Sequence, residues 1–208
     1  FAVVNFTYRL APESKFPAPL EDTNQVITWM YDNQEEYLFD MNNVFMVGDS
    51  AGGHLLGLYT AICTDADYAL HYDFKASNCF VPTSIAMNCG AYEVYKEPIL
   101  GTEQDMELMK DFLPNQGSPE ERALINVTDH VNSKFPPVYL MTAVGDFCKE
   151  QAPKLEAKLK ENKIYYEYKI YGDEEHPLYH VFHVTIQEPL GQQCNDEECD
   201  FFRRMGKR

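Results

Sequence analysis

A chain of 208 residues that is 45% hydrophobic, 24% charged and 13% aromatic can bury the core of one globular domain, and it contains no run apolar and long enough to span a bilayer. Its 33 acidic against 17 basic side chains give a formal charge of −16, which repels phosphate backbones and argues against nucleic acid as a partner in favour of a neutral or cationic small molecule. Six cysteines with no Cys-x-x-Cys pair and no metal-type Cys/His spacing suit reduced thiols in the cytoplasm, with no metal site.

In chain order, "FAVVNFTY" opens with a nearly continuous apolar run, and Ala2–Tyr8 is predicted to be a buried strand. A natural start inside a strand is improbable, so an N-terminal part, with any targeting signal, is expected to precede Phe1. Leu20–Tyr31 reads as a helix. Glu21 and Asp22 in its first turn favour the helix dipole, and Ile27, Met30 and Tyr31 share a buried face. Asn43–Val47 is a second strand, followed by the largely apolar helix Ala51–Cys63, and Pro82–Asn88 is a third strand. From about Ala91 to Ser133 the rhythm breaks into short helical pieces and turn signals such as "PNQGSPEE", an insertion expected to act as a lid or pocket wall.

Pro137–Val144 is the fourth strand. The helix Lys149–Glu161 then places Ala152, Leu155 and Leu159 on one stripe and tolerates Pro153 only in its first turn. In the fifth strand, Ile164–Tyr171, one set of alternating side chains is wetter, as near a sheet edge. Asn195 followed by Glu198 resembles a capping box that starts a last helix carrying Phe201 and Phe202. Alternating strands and helices predict a three-layer α/β/α fold with a mostly parallel sheet. The sequons at Asn5 and Asn126 are uninformative, since Asn5 lies in a predicted buried strand.

The chemistry centres on "VFMVGDSAGGHLLGL", which reads as strand, sharp turn and helix. In a nucleophile elbow, small residues two before and two after the serine let strand and helix approach; here they are Gly48 and Gly52 around Ser50. The N–H of Ala51 and the helix dipole would stabilise an oxyanion, and Asp49 is expected to brace the turn. A serine hydroxyl also needs a base. His54 cannot reach back around the elbow, and His71 and His130 read as surface residues. His176, His180 and His183 follow the fifth strand, where a base belongs in the order Ser, Asp, His. His180 is the first choice, and His183 is a core or supporting histidine. Asp146, just after the fourth strand, is the expected acid, with Asp173 the alternative.

With "YRLAPESKFPAPLED" (Tyr8–Asp22), "GDSAGG" (Gly48–Gly53), Gly145-Asp146 and His180-Val181-Phe182, nearly the whole chain resembles the alpha/beta-hydrolase esterases of the hormone-sensitive-lipase type. The resemblance implies Ser50 as nucleophile, His180 as general base and acid, and Asp146 as its orienter. It implies no cofactor, a small-molecule ester as substrate, and Ala91–Ser133 as the family's variable insertion. Val181 stands where the family has glycine. The family's H-G-G-G-type oxyanion loop, expected upstream of Tyr8, is not in the sequence. In the family's strand order a strand would also lie between the first and second strands found here. Three alternatives follow: those strands precede Phe1, the first strand pairs directly with the second, or another chain fills the gap, as in a homo-oligomer. The first is expected, with residues 1–208 alone a feeble catalyst. Acetyl esterase, peptidase and thioesterase activities are further readings of the same triad, and a catalytically weak binding module is the non-enzymatic one.

Overall fold

Strands that are apolar on both faces need helices on both sides, and the chain meets that need with one four-stranded sheet. The computed structural model describes residues 1–94 and 99–207. Its elements are α1 (Ala18–Asp32), α2 (Gln34–Tyr37), β1 (Phe45–Asp49), α3 (Ala51–Thr64), α4 (Ala66–Ala69), β2 (Ser84–Asn88), α5 (Thr102–Phe112), α6 (Pro119–Leu124), α7 (Val127–His130), β3 (Val138–Ala143), α8 (Gln151–Glu161), β4 (Tyr166–Tyr171) and α9 (Pro189–Met205). Short 3-10 turns lie at Ser77–Cys79 and Phe182–Val184. The strand order is β1-β2-β3-β4 and every pair is parallel.

Alternation along the central strands sorts side chains into two layers. Ile85, Met87, Val138 and Leu140 pack with Leu20 and Ile27 of α1, Leu58 of α3, Val127 of α7, and Leu155 and Leu159 of α8. Ala86, Tyr139 and Met141 face the other way, against Cys194, Phe201 and Phe202 of α9. β4 is an edge strand as expected: Ile170 is exposed, and Lys169 and Glu167 pair with Glu197 and Arg204 of α9.

The first strand of the sequence reading is corrected. Residues 1–10 have no regular structure, and Val3 is 84% exposed. An apolar run favours burial, but a strand also needs a neighbour for its backbone groups. Among the described residues β1 pairs only with β2. The segment is instead held by the Phe1 ring against Phe45 and by Arg9, whose guanidinium bonds Asp22 and Glu21.

The start of α9 is also corrected. Asn195 and Glu198 lie inside the helix, which begins six residues before Asn195 with a proline in its first turn. A capping box does form at Ser118 and Glu121, opening α6 within the irregular region. Residues 95–98 of the 91–133 insertion lie outside the described residues. The rest of it carries α5, α6 and α7, and Leu113, Ile125 and Val127 tie it into the core.

α3 can pack this closely because Gly57 has no side chain. A Cβ there would lie 2.6 Å from Val127 Cγ1 and 2.9 Å from Met87 Cε. Gly57→Ala is therefore expected to cost about 1–3 kcal/mol, as overpacked cores do. Urea unfolding should show a lower midpoint with an unchanged slope.

Candidate active site

β1 runs into the sheet's carboxyl end and the chain reverses at Ser50, the residue before α3. Ser50 has φ 54 and ψ −118, a positive φ that is uncommon for a residue with a side chain and that costs strain the surrounding fold must hold. The turn fits because a Cβ on Gly48 would lie 2.3 Å from Gly52 O, and one on Gly53 would lie 3.0 Å from Gly48 O. Gly52 was expected to carry the second steric demand, but a Cβ there would meet nothing within 4 Å. The tight contact thus falls on Gly48 and on Gly53, one residue later than expected. The Ser50 N–H donates to Asn88 O at 2.9 Å, pinning the turn to β2. Ala51 opens α3, so its N–H has no acceptor within the helix and points with the positive end of the dipole.

Three of the residues read from the sequence meet at this turn. Ser50 Oγ lies 2.8 Å from His180 Nε2, and His180 Nδ1 lies 2.7 Å from Asp146 Oδ1. Asp146 is buried, so Nδ1 carries the proton that it donates to the carboxylate, leaving Nε2 to accept from the serine hydroxyl. Two further donors fix the carboxylate: Thr142 Oγ1 at 3.0 Å on Oδ2 and Cys148 N–H at 2.9 Å on Oδ1. The Phe147 ring lies 4.3 Å from the His180 ring. Val181 has φ 51, the left-handed conformation that glycine adopts without strain, which accounts for the family's glycine at this place. A hydroxyl bonded to an imidazole whose other nitrogen is held by a buried carboxylate can pass its proton to that imidazole as it attacks an electrophile.

The alternatives read from the sequence lie elsewhere. Asp173 is exposed and caps its own loop by accepting from Glu175 and His176 N–H, and His176 sits beside it in solvent. His54 is buried with Nε2 2.8 Å from Ile125 O, and burial pushes its pKa down. His130, expected at the surface, is half-buried and stacks on Tyr68. His71 is exposed. His183 is a supporting residue: its Nε2 donates to Asp49 Oδ1 at 3.0 Å, and Asn88 Nδ2 donates to the same oxygen at 3.1 Å. Burial pushes the Asp49 carboxyl up, but the bond and charge of His183, the Asn88 amide and the charge of His180 outweigh it, and the net shift is down. Asp49 is thereby tied to β2 and to the Phe182–Val184 turn.

Sequence reasoning did not find Thr142, Asn88, Glu198, Phe147 or Cys89 as neighbours of the site. Cys89 follows β2, and its Sγ, with ligand atoms of Asp146 and His180, falls in a group within 4.8 Å. Burial pushes its thiol well up, and Asp146 and His180 are already bonded to each other. All six cysteines are free, and burial pushes Cys194 up to about 12. No helix among the described residues is long and apolar enough to cross a membrane.

Known proteins resemble this chain in sequence and in fold. Versiconal hemiacetal acetate esterase of Dothistroma septosporum is 30% identical over 171 residues, covering 76% of this chain and 51% of its own length. Lipase 2 of a Moraxella species is 25% identical over 177 residues, covering 73% of this chain and 41% of its own length. The chain thus spans about half the length of the curated relatives it matches. Among solved structures, esterase B of Lactobacillus rhamnosis, inhibited by a tributyrin phosphonate, superposes with a TM-score of 0.82 at 25% identity, over 95% of this chain and 63% of that one. An esterase of Pyrobaculum calidifontis has the same fold, with a TM-score of 0.76 at 20% identity, over 95% of this chain and 64% of that one. A model of the alpha/beta hydrolase fold matches residues 1–180, and the chain belongs to that family.

Proposed function

We propose that the protein hydrolyses small carboxylic esters through an acyl-enzyme intermediate. The observation that carries this reading is the unbroken path from Ser50 Oγ through the His180 ring to buried Asp146, with contacts of 2.8 and 2.7 Å. Ser50 Oγ attacks the ester carbonyl while its proton moves to His180 Nε2. Asp146 holds the ring in the accepting tautomer and stabilises the imidazolium. The Ala51 N–H donates to the developing oxyanion, a contact that forms fully only in the transition state. The imidazolium then protonates the departing alkoxide. A water then attacks the acyl group as His180 takes its proton, and the imidazolium passes that proton to Ser50 Oγ as the carboxylic acid leaves.

Residues 91–133 are proposed as the wall of the acyl pocket and its lid. The start of this segment is anchored beside the serine turn, where buried Tyr92 accepts the Gly90 N–H on its hydroxyl, 3.5 Å from the Cβ position of Gly53. A neutral ester fits the acidic surface, nucleic acid does not, and the six free cysteines support a cytoplasmic location. The relatives named for acetate ester and tributyrin chemistry make short acyl chains the first to test.

A panel of p-nitrophenyl esters from acetate to decanoate, with a thioester and a peptide anilide, tests the reading by rapid mixing. The expected result is a burst of p-nitrophenol equal to the concentration of active chains, strongest for short acyl groups. Turnover of the anilide or thioester with no ester hydrolysis would assign a different reaction to the same residues. No turnover of any of them by the whole protein would make the fold a binding module.

A further inference from the structure

A buried carboxyl on α9 reaches the serine turn from below, and the acyl-transfer scheme gives it no part. Glu198 Oε2 accepts from Asn88 Nδ2 at 2.8 Å. The same amide nitrogen donates to Asp49 Oδ1 at 3.1 Å, so its two hydrogens go to two carboxylates. Asn88 is also the residue whose carbonyl accepts the Ser50 N–H, and it faces Asp49 in the β1–β2 ladder. One side chain of β2 therefore connects α9, the residue before the serine and the serine itself. Neither amide rotamer is equivalent: turning Asn88 over would set Oδ1 against both acids. Asn195, one turn earlier on α9, donates to His183 O, so the helix grips both partners of Asp49.

We propose that Glu198 is a positioning residue of the nucleophile turn, holding Asn88 so that Asn88 fixes Asp49 and the backbone of Ser50. This rests on the serine-hydrolase reading above. Ser50 sits at a positive φ that its own preference does not supply, so the strain must be met by neighbours such as this buried chain of bonds. Without the Glu198 acceptor, one hydrogen of Asn88 is left buried and unpaired, and the amide is free to rotate away from Asp49.

The groups facing Glu198 are Asp49 of β1, Asn88 of β2, Tyr139 of β3, His183 of the Phe182–Val184 turn, and Cys194 and Cys199 of its own helix. Burial pushes its carboxyl up to about 7, with Asp49 adding to the rise and Asn88 and His183 opposing it. The ordinary value is 4.5, so the protonated folded state has its full advantage below pH 4.5. That advantage fades as pH rises to 7 and stays lost above it. Glu198→Gln keeps an acceptor for Asn88 and cannot ionise.

The test is made on the whole protein with Glu198→Gln, Glu198→Asp and Glu198→Ala. It measures kcat and KM for a p-nitrophenyl ester and the rate at which an alkyl phosphonate labels Ser50. Glu198→Asp, one methylene short of Asn88, and Glu198→Ala are expected to lower kcat and the labelling rate about tenfold with KM within twofold. Glu198→Gln is expected to restore both. From pH 4.5 to 8, the folding equilibrium of the wild type should fall on the order of a hundredfold relative to that of Glu198→Gln. Should Glu198→Ala not fold, Glu198→Asp carries the comparison. If wild type labels at Ser50 and Glu198→Asp labels equally fast with an unchanged kcat, the positioning role is overturned. If wild type itself takes no label, the serine-hydrolase reading fails instead.

Discussion

Ser50→Ala is expected to lower kcat for a p-nitrophenyl ester by about 10⁶-fold while leaving the fold intact. The hydroxyl is the only group removed, and alanine at φ 54 carries no more strain than serine does. His180→Ala should cost about as much, since an attacking hydroxyl without its acceptor at 2.8 Å is no longer activated. The double variant should lose little more than either single one, because residues that act as one unit are not additive. Circular dichroism and unfolding midpoints separate this from misfolding. Losses of tenfold or less for Ser50→Ala, in a folded protein, would remove the serine from the mechanism.

The second large effect is expected at Asp146. Asp146→Asn preserves size; with its oxygen accepting from Thr142 Oγ1, its amide nitrogen takes the place of Oδ1, which faces both His180 Nδ1 and the Cys148 N–H. The new amide turns a donor towards His180 Nδ1. The ring responds with the other tautomer, placing its proton on Nε2 and facing Ser50 Oγ with N–H instead of a lone pair. A fall in kcat of about 10⁴-fold at neutral pH is expected, with KM little changed. The check is steady-state kinetics beside an unfolding curve. Equal activity of Asp146→Asn and wild type would mean that the bond of 2.7 Å to His180 plays no part in turnover.

β1, β2 and β3 are legible because their residues are nearly all apolar, a pattern that a parallel sheet covered by helices requires, and β4 because its side chains alternate as at a sheet edge. Ala2–Tyr8 has the same pattern and forms no strand, since composition reports a preference for burial and says nothing of the neighbour that must supply hydrogen bonds. Asn195 and Glu198 misled in an instructive way. Their spacing is that of a cap, yet both side chains reach out of the helix, to His183 and Asn88, while Pro189 marks the true start.

At the site, Ser50, Asp146 and His180 could be read because the turn has a local signature and its partners follow strands in a fixed order. Val181 stands where the family has glycine, and its left-handed backbone gives the reason glycine is usual there. Asn88, Thr142, Phe147 and Cys89 carry no such mark. Asn88 and Glu198 are 110 positions apart, and only the packing of α9 on the sheet brings them together. The motif carries two glycines after Ala51 without distinguishing them, and only the fold shows that a Cβ would meet Gly48 O at Gly53 and open space at Gly52.

Acyl transfer through this site requires that Ser50 carry the acyl group during turnover. Mixing the protein with p-nitrophenyl butyrate, quenching in acid within the burst and mapping peptides by mass spectrometry tests it directly. One butyryl group per chain is expected on the peptide containing Ser50, and none in Ser50→Ala. Steady hydrolysis with no acyl group on Ser50, or with the group on another residue, would contradict it.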